Sequence, residues 1–141
     1  MASLYRRALT YQADSSVLFE ALRDMPYPVF LDSAYPYSDR GRYDILSASP
    51  LETINTNISI TSSYRNNEML FREMETLLAQ LDPPQEDETD LPFSGGIIGA
   101  FSYDGGRELA GISRSAGSTD KIDHCDPVFP DFFAGLYSWA I

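Results

Sequence analysis

The sequence has few of the residues that most often carry catalysis or bind metals. It contains one cysteine, one histidine and one lysine, which are Cys125, His124 and Lys121. A single cysteine excludes a disulfide within the chain, as is typical of a protein from a reducing compartment. Neighbours in sequence rarely supply both members of a metal or nucleophile pair. We therefore interpret His124 and Cys125 as an incidental pair in a polar loop.

The chain also lacks long apolar runs and an excess of basic charge. No apolar stretch approaches the ~20 residues of a membrane-spanning helix, and the first residues have no signal-peptide core. The 21 acidic residues outnumber the 10 basic ones and give a net charge of −11. Nucleic-acid binding needs basic side chains to neutralise phosphates. With 43% hydrophobic residues, the composition predicts a cytoplasmic globular domain that binds neither nucleic acid nor membrane.

Hydrophobic periodicity predicts both helices and strands. The predicted helices are residues 14–25 and 68–81, and the predicted strands are 4–11, 29–33, 42–49, 54–61, 91–104 and 132–141. Asp14 or Ser15 can cap the first helix. The expected fold is α+β, with a mainly antiparallel sheet and two principal helices packed on one side.

Two polar segments interrupt this pattern within what we expect to be a single domain, residues 1–141. The acidic run 82–90 is predicted to be a linker, and residues from about 105 to 126 are predicted to form a mobile loop. The chain closes on Trp139, Ala140 and Ile141, inside an apolar strand and without a polar tail. Because natural termini usually fray into polar residues, we expect a truncated domain whose last strand lacks a pairing partner.

Three glycines lie inside the strand predicted at 91–104, namely Gly95, Gly96 and Gly99. A phosphate-binding loop would require a helix after the glycines, but more strand-like sequence follows. Glycine within a strand otherwise marks a bulge, a bend or the close approach of another backbone. We favour that structural role.

Four segments resemble, in order and spacing, the chorismate-utilising family, which includes the large subunits of anthranilate synthase and aminodeoxychorismate synthase. They are LPFSGGIIGAFSYDGGREL (91–109), Phe30–Ser33, Gly41–Leu46 with Ser49-Pro50, and DFFAGLYSWAI (131–141). The Tyr103–Arg107 ending is closer to component I of aminodeoxychorismate synthase. The resemblance implies the amino-terminal half of that family's sheet sandwich, with the carboxy-terminal domain absent.

The same resemblance implies where the chemistry lies. Family members bind chorismate and Mg²⁺ in the carboxy-terminal domain, so this chain is expected to be inactive alone, with no catalytic residue, metal site or cofactor. We assign no catalytic role to Lys121. The whole enzyme would aminate chorismate to 4-amino-4-deoxychorismate for para-aminobenzoate and folate synthesis. Its implied partners are the carboxy-terminal half and a glutamine amidotransferase subunit.

For the amino-terminal domain, the resemblance implies part of a tryptophan pocket. Ser33 matches the position that binds the polar end of the ligand, and Asp32 stands where an acidic residue can bind its ammonium group. The surrounding loop is matched by Arg40, Gly41, Arg42 and Tyr43. Because the remaining walls belong to the other half, we expect weak or no tryptophan affinity in this chain. Ordinary alternatives remain open, since Ser33 can simply end a strand and the two arginines can be solvated loop residues.

Two other functions remain open. One is the feedback domain of anthranilate synthase component I, in tryptophan synthesis. The other is a free-standing module that binds an amino acid or another protein. The second alternative predicts a monomer that is well folded without a partner, whereas truncation predicts an exposed apolar strand or face.

Overall fold

The computed structural model describes residues 4–35, 37, 41–56, 65–81, 91–103, 106–107, 110 and 130–141. Arg40, Lys121, His124, Cys125 and the predicted linker 82–90 lie outside these residues, as does the predicted mobile loop 105–126 except for residues 106, 107 and 110. The helices and strands are α1 (Ser16–Glu20), β1 (Val29–Leu31), β2 (Ile45–Ser47), β3 (Glu52–Thr56), α2 (Arg65–Leu78), β4 (Gly96–Phe101) and β5 (Phe132–Tyr137).

All strand pairs in the described part of the chain are antiparallel. β1 pairs with β2, with Phe30 opposite Leu46. β5 lies between β3 and β4, with Ala134 opposite both Ile54 and Gly99. Two helices combined with antiparallel sheets make this an α+β fold, which confirms the fold class predicted from the sequence.

Two backbone hydrogen bonds link the end of the chain to the two-stranded sheet, which is separate from the three-stranded one. Beyond β5, Ile141 and Leu46 exchange two backbone hydrogen bonds of 2.8 and 2.9 Å, the pattern of an antiparallel pair. Between this pair and the Glu52–Leu136 pair, one strand contributes residues 47–51 and the other only 137–140. Ser49, within the longer segment, has a φ of 52° and its backbone N–H donates to the Pro26 carbonyl at 2.7 Å. The expectation that the final strand has no partner at its end is therefore wrong.

The larger core lies between α2 and the three-stranded sheet. Its buried residues come from the helix and from β3 and β5: Ile54, Leu70, Leu77, Phe132, Ala134 and Leu136. Met74, Leu81 and Ile97 pack against them. α2 begins at Arg65, three positions before the predicted start. Phe71 and Leu78, which are also apolar residues of α2, are exposed, because they lie outside the buried stripe formed by positions 70, 74, 77 and 81.

A second, smaller core supports the first helix. Leu22, Leu46 and Ala48 are buried, and Leu18, Phe19, Phe30 and Trp139 pack against them. α1 is much shorter than the predicted helix, because the chain beyond Glu20 continues in turns such as Leu22 N–H to Phe19 carbonyl, 2.8 Å. Such turns have three residues rather than 3.6 per turn. Val17, within α1, and Met25, at the end of these turns, are both exposed.

Two strand predictions need correction. Residues 4–11 form no strand in the structure, since they have no ladder partner among the described residues and positions 5–11 are exposed. The glycine-rich strand starts only at residue 96, because Gly95 and Gly96 have φ values of 121° and 151°. These values are accessible to glycine and strained for other residues, so a bend precedes the strand. Within the described ranges, no helix is both long and apolar enough to cross a bilayer.

Candidate ligand site

Asp44 is the centre of the site, just after the loop that connects β1 to β2. One of its carboxylate oxygens, Oδ1, accepts hydrogen bonds from the backbone N–H and the hydroxyl of Ser33, at 2.8 and 2.9 Å. The other, Oδ2, accepts from the hydroxyl of Ser15. The three donors come from two separate segments, 11 and 29 residues away. A single half-buried carboxylate therefore ties the start of α1 to the end of β1.

Ser15 precedes α1 but does not cap it, because its hydroxyl bonds to Asp44 instead. The first turn is held by Asp14, whose carboxylate accepts from the backbone N–H and the hydroxyl of Ser16, at 3.0 and 2.6 Å. Of the two caps considered from the sequence, Asp14 performs this role. Ser15 is thus available to the site.

Gly41 packs directly against Ser33. A β-carbon at Gly41 would fall inside contact distance of the Ser33 carbonyl oxygen and would lie 3.0 Å from its hydroxyl oxygen. Backbone atoms cannot move aside as a flexible side chain can. Any other residue at position 41 would therefore push the loop away from Ser33. The structure brings together Ser33 and Gly41, two of the residues predicted for the pocket.

Asp32 shapes the turn that follows β1. Its carboxylate accepts a 2.7 Å hydrogen bond from the backbone N–H of Ala34, two residues on. Short acidic side chains commonly stabilise turns in this way, and Ala34 has a φ of 60°. Asp32 is exposed, and its second carboxylate oxygen is acceptor-only. A ligand ammonium at this position remains a prediction.

Arg42 and Tyr43 form a cation–π pair beside this turn. The guanidinium carbon of Arg42 lies 5.6 Å from the centre of the Tyr43 ring, within the range of such contacts. Both side chains are exposed, and so is Leu31 at the end of β1. The ends of the two strands therefore present a cation, an aromatic ring and an aliphatic side chain to solvent. Arg40, the remaining residue predicted for the pocket, is outside the described residues.

The aromatic side chains of Phe19 and Phe30 pack against the smaller core. Their rings stack with centroids 5.3 Å apart and an interplanar angle of 27°, a favourable aromatic arrangement. Phe19 belongs to α1 and Phe30 to β1, so the stack joins the same two elements that Asp44 joins. Packing and hydrogen bonding thus fix the helix to the strand at two points.

Hydrogen bonding lowers the pKa of the Asp44 carboxyl. The hydroxyl of Ser15 has the largest effect, followed by the backbone N–H of Ser33; partial burial acts in the opposite direction, and the Ser33 hydroxyl adds to the lowering. Donors stabilise the charged form of a carboxylate. Asp44 is therefore ionised at neutral pH. Together with Asp32 it makes the neighbourhood of Ser33 electronegative.

Sequence reasoning missed Asp44 and Ser15 as members of the site. Asp44 was visible within the Gly41–Leu46 segment, but its partners are distant in sequence and no local pattern reveals them. Within the ranges that the structure describes, no three acidic, histidine or cysteine side chains come close enough to hold a metal ion. The described cluster is suited to binding a small polar ligand through hydrogen bonds and charge.

Comparison with known proteins gives consistent relatives, although no family model matches the chain. The chain is similar to aminodeoxychorismate synthase component 1 of Escherichia coli (strain K12), with 32% identity over 130 residues. The proteins of the same name from Salmonella typhimurium and Streptomyces lividans are 32% and 30% identical to it over 133 and 119 residues.

These matches cover most of this chain but a small part of each relative. The alignments with the Escherichia coli and Salmonella typhimurium proteins span 87% of the chain and 27% of the relative, and that with the Streptomyces lividans protein spans 70% and 25%. The chain thus spans about a quarter of the length of the curated relatives it matches. The chain is therefore related to the aminodeoxychorismate synthase component 1 family and corresponds to an amino-terminal domain of it, as its sequence motifs predict.

Proposed function

We propose that this chain is the non-catalytic, ligand-pocket domain of an aminodeoxychorismate synthase component 1. In this proposal the whole protein aminates chorismate to 4-amino-4-deoxychorismate, and this domain contributes scaffold and part of a tryptophan pocket. The observation that carries the proposal is the cluster at the ends of β1 and β2, where Ser33 lies between Asp44 and Gly41.

The groups around this cluster fit an amino acid with an aromatic side chain. An ammonium group requires acceptors, which Ser33 and Asp32 supply, and a carboxylate is suited to a guanidinium such as that of Arg42. An indole requires apolar or aromatic surface, and Leu31 and Tyr43 are exposed beside the turn. Because these groups line one side only, we expect the chain alone to bind tryptophan weakly or not at all.

We place the chemistry in the part of the relatives that this chain does not span. In the proposal, chorismate and Mg²⁺ are bound there, and a glutamine amidotransferase subunit supplies ammonia. The word "component" in the relatives' name supports an enzyme built from more than one polypeptide. No residue of this chain is assigned a catalytic role.

A chimaera with the Escherichia coli relative tests the proposal. The matched quarter of that protein is replaced by this chain, and the product is assayed with chorismate, ammonia and Mg²⁺. We expect 4-amino-4-deoxychorismate from the chimaera and none from this chain alone. A folded chimaera without activity, or activity in the chain alone, would contradict the proposal.

Tryptophan titrations of the same two proteins separate the pocket from the scaffold role. We expect calorimetry to detect tryptophan binding in the chimaera, and the substitution Ser33→Ala to weaken it. An active chimaera that does not bind tryptophan would support the scaffold and reject the pocket. Anthranilate formation by the chimaera would instead favour the alternative enzyme, although the relatives compared above carry the aminodeoxychorismate synthase name.

A free-standing interaction module is the competing proposal from another class. It predicts that the chain is monomeric, does not associate with the remainder of the relative and recovers no activity when mixed with it. Mixing the chain with the remaining three quarters of the Escherichia coli protein distinguishes the two, since our proposal predicts association and recovered activity.

A further inference from the structure

The hydroxyl of Ser33 has only one proton, and the structure shows where it goes. Asp44 is ionised at neutral pH, because hydrogen bonds lower its pKa, and an ionised carboxylate only accepts hydrogen bonds. The 2.9 Å contact between the two side chains therefore has Ser33 as the donor. What remains on the Ser33 oxygen is its lone pairs. Toward a ligand, Ser33 is an acceptor.

This arrangement is held from two sides. The backbone N–H of Ser33 bonds to the same Asp44 oxygen at 2.8 Å, so that backbone and side chain are fixed together. On the other side, the backbone of Gly41 lies so close to Ser33 that no β-carbon fits between them. Rotation of the hydroxyl away from Asp44 would cost its charge-assisted hydrogen bond, one of the stronger kinds in proteins.

The second carboxylate oxygen of Asp44, Oδ2, is also held in place, by a hydrogen bond from the segment before α1. Ser15 donates to it from the residue before the helix, so the carboxylate cannot turn without losing a bond on either side. The charged groups near this point are Asp14 at the start of α1, Asp32 on the turn and Arg42 on the loop. In the described part of the chain, the side-chain hydrogen bonds of Asp44 are those with Ser15 and Ser33.

We propose that Asp44 is a positioning residue, which fixes the Ser33 hydroxyl as an acceptor and so makes the site select a ligand with an ammonium group. The identity of the ligand rests on the function proposed above, whereas the role of Asp44 rests on the geometry alone. A ligand that lacks the ammonium group would meet the lone pairs of Ser33 and the negative charges of Asp32 and Asp44. Such a ligand binds more weakly than its amino counterpart.

Amide hydrogen exchange measured by NMR tests the positioning role without any ligand. In Asp44→Ala, we expect exchange at the Ser33 N–H to rise at least about tenfold, the size expected when a hydrogen bond to a charged group is lost. The Leu46 N–H, which bonds to Ile141, reports general loosening and should keep its exchange rate. Asp24→Asn is the matched control, because the Asp24 side chain is 92% exposed and distant in sequence from the loop. Unchanged exchange at Ser33 in a folded Asp44→Ala variant would overturn the proposal.

A pH titration of the unchanged protein covers the case in which Asp44→Ala does not fold. The chemical shift of the Ser33 amide should follow the protonation of Asp44, with a midpoint below that of an ordinary aspartate. A Ser33 amide that does not shift through this range would overturn the proposal. Ser15→Ala should raise the midpoint, since its hydroxyl has the largest influence on the Asp44 carboxyl.

Ligand preference is measured in the chimaera, with L-tryptophan and indole-3-propionate as probes. We expect tryptophan to bind at least about tenfold more tightly, and Asp44→Ala to reduce this ratio more than it reduces the affinity for indole-3-propionate. Equal binding of both probes would overturn the selectivity. If neither probe binds, the proposed pocket and its selectivity are both wrong. The exchange measurement still decides whether Asp44 positions Ser33.

Discussion

The hydroxyl of Tyr137 donates a 3.0 Å hydrogen bond to the backbone carbonyl of Tyr27, 110 positions earlier in the chain. Tyr137 is fully buried in β5, and burial raises the pKa of its phenol above the usual range. The bond holds a strained turn, since Tyr27 has a φ of 47°. The Tyr27 ring also stacks on Phe133, with ring centroids 5.1 Å apart. The turn before β1 is therefore attached to the centre of the three-stranded sheet.

Removal of this hydroxyl should destabilise the fold. Tyr137→Phe leaves the ring in place but deprives the Tyr27 carbonyl of its donor, which costs about 1–2 kcal/mol for a hydrogen bond of this kind. Urea unfolding monitored by circular dichroism measures the change. Tyr5→Phe is the control, because Tyr5 is 85% exposed and should change the free energy of unfolding by less than about 0.5 kcal/mol. Equal effects of the two substitutions would contradict this account.

Gly99 should not tolerate even one methyl group. A β-carbon there would lie 2.5 Å from the carbonyl oxygen of Phe133 and 3.0 Å from the β-carbon of Ala134, on the neighbouring strand. We expect Gly99→Ala to reduce the free energy of unfolding by about 1–3 kcal/mol, as overpacking does.

Gly106 provides a matched comparison, because a β-carbon there would meet nothing within 4 Å. Gly106→Ala should leave the stability unchanged or raise it slightly, since alanine restricts the unfolded chain. Thermal melts of both variants check the pair. A Gly99→Ala variant as stable as Gly106→Ala would show that β4 and β5 lie further apart than the structure indicates.

Alanine substitutions at two adjacent leucines of α2 should lower the free energy of unfolding by very different amounts. Leu77 is 6% exposed and belongs to the larger core, whereas Leu78 is 45% exposed. We expect Leu77→Ala to cost about 2–4 kcal/mol through the lost contacts and the cavity. Leu78→Ala should cost less than about 1 kcal/mol. Chemical denaturation of both proteins measures the difference, and the reverse order would mean that α2 is rotated about its axis.

Acid should remove the contribution of Asp44 to stability. Since the pKa of Asp44 is lowered in the folded state, its stabilisation is fully present above the ordinary aspartate pKa of about 4 and is lost as the pH falls through the lowered value. The difference in unfolding free energy between the unchanged protein and Asp44→Asn should therefore be constant near pH 7 and shrink below about pH 4. The pKa of Asp14 is also lowered, but Asp14 is present in both proteins and cancels. A difference that stays constant down to pH 2 would contradict this prediction.

Periodicity predicted the elements that bury one clear face. The last strand, the second helix and the antiparallel α+β class follow from apolar spacing, because spacing records which side of an element faces a core. Spacing does not record which strand lies beside which, so neither the central place of β5 nor the hydrogen bonds between Leu46 and Ile141 could be predicted. The predicted strand at residues 4–11 was wrong for the same reason, since a strand-like sequence still requires a partner.

Prediction of the candidate site was limited in the same way, because sequence patterns do not record which distant residues come into contact. The motif resemblance indicated Ser33 and Gly41, and the structure brings these two together. It did not indicate Ser15, because a hydroxyl that bonds to a carboxylate 29 residues away leaves no local pattern. Whether these residues bind tryptophan stays a prediction.

The central position of β5 has a consequence for synthesis on the ribosome. β3 and β4 each pair with β5 and not with one another, so neither has its ladder until residues 132–137 have been translated and have left the exit tunnel. Until then β3 and β4 have no ladder partner in the nascent chain. β3 is separated from its partner, β5, by about 80 residues. Contacts over such separations form slowly. We expect the α1–β1–β2 region to organise first, and this interval to be when the nascent chain most needs a chaperone.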